Sequence, residues 1–264
     1  MAEQWTLVFG MHFKNLLPTV LAFIILSCSD SNSKYPSQDM SIEGQLDWQK
    51  KFYFKRISEF KKNPIRENKI VFLGNSIIQG GGDWNKKYNL KGIVNRGISG
   101  DFTNGILNRL DEIIFYHPIS VFLMIGINEF FADNSNNPSI NPEYVAQNIL
   151  KIAETIKRGS PKTEILISTI LPINNEQYLK VKNVDYNFLQ ENYSPSVNDQ
   201  VQKTNMILKS NKKYAVVDLY KVFADENYNL KSNLSSDGVH LNNTGYDLWV
   251  QKTIRLINTL KGTK

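Results

Sequence analysis

Near the end of the chain, Ser236-Asp237-Gly238-Val239-His240-Leu241 sets a carboxylate three residues ahead of an imidazole, where a polar loop gives way to a last helix-like run. The sequence has three histidines: His12 lies in an apolar N-terminal leader and His117 is followed by Pro118. His240 is therefore the candidate for acid–base chemistry near neutral pH, where an unperturbed imidazole titrates. Asp237 is spaced to fix its tautomer and to stabilise its charged form. The group such a base would activate lies far upstream, at Ser76.

The elements that must bring these residues together read as alternating strands and helices. Short apolar runs at Lys69 to Leu73, Ser120 to Ile125, Glu164 to Ile170 and Tyr214 to Leu219, with a weaker one at Gly92 to Asn95, predict five strands. Helical spacing is read at Leu46 to Lys62, Thr103 to Tyr116, Pro142 to Arg158, Ser196 to Lys209 and Gly245 to Leu260. Such alternation predicts an α/β, three-layer, flavodoxin-like fold around a five-stranded parallel sheet, with ligands at the carboxyl ends of the strands. Pro172 to Pro195 is the one long stretch without periodicity. It leaves the fourth strand, so it is expected as an irregular lid over that edge.

Each chemically suggestive group falls just after a predicted strand. Gly74-Asn75-Ser76 follows the first, Asn95-Arg96-Gly97-Ile98-Ser99-Gly100-Asp101 the second, Gly126-Ile127-Asn128-Glu129 the third, and Asp237 with His240 the fifth. Taken singly, a Gly-x-Ser is more often a turn, Asn128 a cap, Gly100 a backbone turn and His240 a structural histidine. Their order and strand context carry the specificity. Together they would supply a nucleophile, a base, an orienting acid and donors for a developing oxyanion.

These four blocks, over residues from about 69 to 256, resemble those of the SGNH (GDSL-type) hydrolases, and within them the platelet-activating-factor-acetylhydrolase-like esterases. The resemblance implies Ser76 as nucleophile, His240 as base and Asp237 as its orienting acid. It also implies an oxyanion hole from the Ser76 and Gly100 backbone N–H groups and the Asn128 side-chain amide. Two positions depart from the family pattern: Asn75 and Glu129 stand where aspartate is usual. Other chemistries fit less well. No Gly-x-Ser-x-Gly frames Ser76, and Gly80-Gly81-Gly82 is not followed by the Lys-Ser/Thr of a phosphate-binding loop. Metal-ligand spacings are not found, so neither metal nor cofactor is expected.

The N-terminal end predicts a compartment. Leu16 to Leu26 is short for a membrane span and about right for a signal-peptide core, and it ends in Ile25-Leu26-Ser27-Cys28. This resembles a bacterial lipobox. The expected organisation is a lipoprotein signal peptide over 1–27, a flexible tether over 28–44 lipid-attached at Cys28, and one hydrolase domain over 45–264. The expected location is the bacterial cell envelope, periplasmic or at the cell surface. Cys28 is the single cysteine, so no intrachain disulfide can form. The net charge of +6 is spread through the chain with no long basic block, its lysine doublets lie on helix-like segments, and no nucleic-acid recognition motif is found.

Aromatic residues Tyr178, Tyr186, Phe188 and Tyr193 lie in the lid stretch among Asn174, Asn175, Lys180, Asn187 and Asn192. Rings set among hydrogen-bonding groups suit a sugar better than a long acyl chain. The expected substrate is therefore a small ester or an O-acetylated saccharide. A lysophospholipase or lipase-type acylhydrolase, or a non-catalytic glycan-binding lipoprotein of the same fold, are the alternatives.

Overall fold

Side chains alternate across a strand, so Ile70 and Phe72 point to one face of the sheet while Val71 and Leu73 point to the other. Both faces are dry: all four residues are 0 % exposed. A strand buried on both faces needs a covering layer on each, which the intervening helices provide. The computed structural model describes residues 34–134 and 137–262. The predicted signal peptide and Cys28 lie outside the described residues.

In chain order the elements are α1 (Asp47–Lys62), β1 (Ile70–Gly74), α2 (Ser76–Gly80), α3 (Trp84–Tyr88), β2 (Ile93–Gly97), α4 (Thr103–Leu107), α5 (Asp111–Tyr116), β3 (Ser120–Met124) and α6 (Ile127–Phe130). They continue with α7 (Pro142–Gly159), β4 (Glu164–Ser168), α8 (Asn175–Lys182), α9 (Val197–Ser210), β5 (Ala215–Val217), α10 (Tyr220–Phe223) and α11 (Asn243–Gly262). The five strands form one parallel sheet in the order β2-β1-β3-β4-β5. This is the three-layer flavodoxin-like fold expected from the sequence.

On one face Val71, Leu73, Val121, Leu123, Ile165 and Ile167 pack with α7 and α9 through residues such as Ala146, Ile149, Ala153 and Val201. On the other, Ile70, Phe72 and Phe122 pack with Trp84, Tyr88 and Trp249 of α3 and α11. A third small cluster joins Ile42 to Tyr53, Ile57 and Phe60 of α1 and to Ile98.

Three expectations need correction. Thr103 to Tyr116 is two short helices, because the chain breaks at Asn108 to Leu110 to send the Arg109 side chain inward, where the residue is 5 % exposed. The stretch from Pro172 to Pro195 is not irregular throughout. It holds α8, capped by Asn174 Oδ1 accepting from the Gln177 N–H at 2.9 Å, and a turn of 3₁₀ helix at Asn187–Leu189. No α8 residue is buried, so the sequence carried no apolar stripe to reveal it. Finally, the described part of the expected tether, 34–44, lies on the domain. Ile42 is buried against α1, and the Tyr35 hydroxyl donates to Glu112 Oε1 at 3.0 Å. Among the described residues no helix is long and apolar enough to cross a membrane.

The turns at the carboxyl edge of the sheet are fixed by buried charge. Arg109 donates to Asp101 Oδ2 at 2.8 and 3.0 Å, to the Arg96 carbonyl at 2.9 Å and to the Gly74 carbonyl at 3.1 Å. Beneath it, Arg96 pairs with Glu112 at 2.7 and 2.9 Å and donates to the Asn63 carbonyl at 2.7 Å. Glu129 is also buried. Its Oε1 accepts the Thr103 N–H at 2.6 Å, while Oε2 has no hydrogen-bond partner among the described residues. Burial pushes the Asp101 carboxyl up to about 6 against the pull of Arg109. Burial, with the Asp101 charge added to it, pushes Glu129 up to about 7 despite the bonds from Thr103.

The direction of the Glu129 shift gives a pH dependence of stability. An unfolded glutamate ionises near pH 4.3, whereas the folded group holds its proton to about 7. The unfolded chain therefore binds fewer protons between these values, and stability falls as pH rises through them. Glu129→Gln removes this titration. Urea unfolding at pH 5 and pH 8 should show the wild type losing more stability over the interval than the variant; equal losses would place the Glu129 proton elsewhere.

Candidate active site

From β1 the chain crosses one way to β2 and then back past β1 to β3. The crevice outside the carboxyl ends of β1 and β3 is thus the switch point where such sheets bind ligands. Ser76 begins α2 directly after β1, and Asn128 lies on α6 directly after β3. The turn after β2 brings Gly100, and the loop before α11 brings His240. Ser76, Gly100, Asn128 and His240 all line one cleft of about 750 Å³.

The turn bearing Ser76 is held from several sides. Asn75 Oδ1 accepts the Ile77 N–H at 3.0 Å and caps α2. This role needs an acceptor and no charge, so asparagine satisfies it where the resemblance has aspartate. Trp84 Nε1 donates to the Ile78 carbonyl at 3.1 Å and the Tyr246 hydroxyl to the Ile77 carbonyl at 2.8 Å. Gln79 Oε1 accepts from the Ser99 N–H at 2.7 Å, tying α2 to the loop after β2.

Ser76, His240 and Asp237 form a continuous hydrogen-bonded line. His240 Nε2 lies 3.0 Å from Ser76 Oγ, and His240 Nδ1 lies 2.9 Å from Asp237 Oδ2 and 3.2 Å from Oδ1. Asp237 Oδ1 also accepts the main-chain N–H groups of Val239 at 3.1 Å and His240 at 2.8 Å. The loop is tight because Gly238 adopts φ of +88°, and a Cβ there would strike the Asn174 carbonyl at the start of α8. Burial acts to raise the Asp237 carboxyl. Bonds from the His240 ring and main chain, with the Lys182 ammonium, outweigh it and hold the group well below the usual carboxylate range. It is a carboxylate at neutral pH.

Opposite the serine, Gly100 sits at φ of +75°, a conformation glycine reaches at little cost. Asn128 Nδ2 donates one N–H to the Asp101 carbonyl at 2.8 Å. A side-chain amide nitrogen carries two, so its orientation is fixed while one remains to serve the cleft. This arrangement can take a proton from Ser76 Oγ and place donors where negative charge would develop on a bound carbonyl. Among the described residues no group of three or more His, Cys, Asp or Glu converges to hold a metal ion.

The cleft walls differ from the expectation in two respects. Tyr178, Tyr186 and Phe188 line it, with Tyr186 and Phe188 stacked at 5.3 Å between ring centroids. Tyr193 is instead turned to Asp133, its hydroxyl donating at 3.1 Å. The polar lining expected from the lid comes from another segment, through Asp133, Asn134 and Asn137, and from Asn104. Asn174 and Asn175 serve as structural donors to the Leu230 and Leu189 carbonyls.

Two contributors were not singled out from the sequence. Lys182, the last residue of α8, places Nζ 2.9 Å from Asp237 Oδ2. Gln49 of α1 donates to the Gly100 carbonyl at 3.2 Å. Neither carries a local sequence signal, because both act on turns more than 50 residues away.

Residues 72–248 match the GDSL-like lipase/acylhydrolase family. Curated proteins gave no match. A solved structure from Streptococcus pneumonia, named for platelet activating factor, is 25% identical with a TM-score of 0.60, covering 80% of this chain and 92% of that one. A GDSL-like lipase from Bacteroides thetaiotaomicron is 23% identical with a TM-score of 0.63, covering 78% and 97%. An acetyl xylan esterase shares the fold at 18% identity and a TM-score of 0.54, covering 72% and 99%. Since the family match takes in over half of the sequence and all four of the turns that meet in the cleft, the chain belongs to the GDSL-like lipase/acylhydrolase family and is an ester-cleaving hydrolase.

Proposed function

We propose that Ser76 is the nucleophile of a serine esterase that removes short acyl groups, above all acetyl, from glycans. As Ser76 Oγ bonds to the ester carbonyl carbon, His240 Nε2 takes its proton and the carbonyl electron pair moves onto oxygen. The Ser76 and Gly100 N–H groups and the Asn128 amide stabilise that oxyanion. Asp237 keeps the imidazole oriented and offsets its positive charge. Collapse of the intermediate breaks the bond to the alcohol oxygen, which leaves with the proton held by His240. Water, deprotonated by the same imidazole, then attacks the acyl-serine, releasing the acid and restoring Ser76. Ordering of the three groups at 3.0 and 2.9 Å is the observation that carries the reaction.

The substrate reading rests on the cleft. Its lining alternates rings (Trp48, Phe102, Phe131, Tyr144, Tyr178, Tyr186, Phe188) with asparagines, and a long acyl chain would want a continuous apolar groove instead. An acetyl xylan esterase is one of the enzymes built on this fold. We further propose that the protein is lipid-anchored through Cys28 in a bacterial cell envelope, on the strength of the apolar run that precedes that residue. Metabolic labelling with a fatty-acid analogue should then tag the wild type and not Cys28→Ser; labelling of both, or of neither, counts against the anchor.

The catalytic roles have distinct kinetic signatures. Ser76→Ala and His240→Ala should each remove most ester hydrolysis, and the double variant should lose little more, since nucleophile and base act as a unit. Asn128→Ala should lower kcat by about 10²–10³ with KM nearly unchanged, as for loss of one preorganised donor. If Asn128 only secured its turn, the variant would lose stability while catalysis in the cold stayed normal. For the substrate, p-nitrophenyl esters from acetyl to palmitoyl should be assayed beside O-acetylated saccharides. Acetyl should be preferred over octanoyl, with acetate released from the saccharides. Faster cleavage of long-chain esters or lysophospholipids, with no acetate from any glycan, would favour the lipase alternative.

A further inference from the structure

The family match begins at residue 72, yet one wall of the cleft is built before it, by Glu43, Gly44, Leu46, Trp48 and Gln49. α1 buries Gln49, Tyr53, Ile57 and Phe60 at helical spacing. Trp48 falls one residue off that stripe and is 56 % exposed, so the core does not need it. It is nevertheless placed closely. Trp48 Cη2 stands 3.0 Å from where a Cβ on Gly100 would be. Gln49 fixes the same turn, donating to the Gly100 carbonyl at 3.2 Å and accepting the Leu46 N–H at 2.7 Å. An exposed indole is thus set against the glycine whose N–H would face the ester oxygen.

We infer that Trp48 is a specificity-determining residue, a stacking platform for the sugar ring whose hydroxyl carries the acyl group. This rests on the acetyl-ester reading above. An acetyl group extends one methyl beyond the carbonyl carbon, so the part of the substrate that reaches an indole beside Gly100 belongs to the alcohol. A pyranose presents a face of C–H groups to an aromatic ring and hydroxyls at its edge. The same cleft supplies both partners: a second exposed ring in Tyr186, 41 % exposed and backed by Phe188, and the polar groups of Asn104, Asn134 and Asn137. The wall lies in a segment outside the family match, so relatives that share the reaction need not share this preference.

The test compares Trp48→Ala and Trp48→Phe with the wild type on two acetates, ethyl acetate and an acetylated xylo-oligosaccharide. The ratio of kcat/KM for the saccharide to that for ethyl acetate should fall about tenfold or more in Trp48→Ala, mainly through KM for the saccharide, the scale expected for one lost ring contact. Trp48→Phe should keep the ratio within about threefold of the wild type, since a ring face remains. Equal falls on both acetates in Trp48→Ala would make Trp48 a prop for the Gly100 turn. That result, or an unchanged ratio, would overturn the inference alone, because wild-type turnover of the saccharide upholds the wider reading. A wild type that cleaves ethyl acetate but frees no acetate from the saccharide would overturn the inference together with the glycan assignment, leaving the ester chemistry intact.

Discussion

One buried guanidinium holds the catalytic edge in register. Arg109 binds the Gly74 carbonyl at the end of β1, the Arg96 carbonyl in β2 and the Asp101 carboxylate in the turn beyond it. Gly74 is two residues from Ser76, and Asp101 follows Gly100. Asn128 in turn is aimed by its bond to the Asp101 carbonyl. The proposed nucleophile and two of its oxyanion donors are therefore set in one frame by a fork of N–H groups that only arginine presents. Such a pair adds little net stability, because desolvating both ions offsets most of their attraction. What it supplies is fixed geometry, and donors that need no rearrangement as charge develops are worth most in a site of this kind.

Much of this was legible in the sequence, and what was hidden shares a physical cause. The central strands β1 and β3 were visible because both faces are buried, which leaves continuous apolar runs such as Ile70 to Leu73. Three polar blocks were visible because each follows a strand at one edge of the parallel sheet; Asp237 and His240, expected just after the fifth strand, come instead beyond α10, on the loop before α11. α8 was not visible, since none of its residues is fully buried and its spacing is silent. The break at Asn108 to Leu110 was hidden as well. Leu107, Leu110 and Ile113 keep helical spacing across it, and the cause of the break, an inward-turned Arg109, is a tertiary contact. Lys182 and Gln49 were missed for the same reason: long-range pairing leaves no trace in local pattern. The departure at Asn75 raised the alternative of a non-catalytic binding protein. The structure removes the motive for it, because the position serves as a neutral cap on α2.

The acid of the proposed triad is treated differently from the acids behind it. Asp237 is 5 % exposed, yet it receives His240, two main-chain N–H groups and Lys182, so it stays ionised and can answer a positive imidazole. Lys182 adds a constraint of its own. It ends α8, and Asn174, which caps the start of the same helix, donates its N–H to the Gly238 carbonyl at 2.7 Å. The segment that brings Tyr178 to the cleft and the proposed catalytic acid are thereby joined at two points.

Behind the oxyanion turns the supply of positive charge is smaller. Arg96 is taken by Glu112 and Arg109 by Asp101, and among the described residues Glu129 faces the Asp101 charge without an ion pair to a cation. A second bare carboxylate there would be costly, so Glu129 keeps its proton to about pH 7 and accepts one N–H from Thr103. Thr103 opens α4, and Asn128 adjoins Glu129, so this acid links the turn after β2 to the turn after β3. A glutamate reaches further than the aspartate usual at this position in similar hydrolases. Its departure from that pattern is thus a change in how the turns bearing Gly100 and Asn128 are braced, behind the proposed reacting groups.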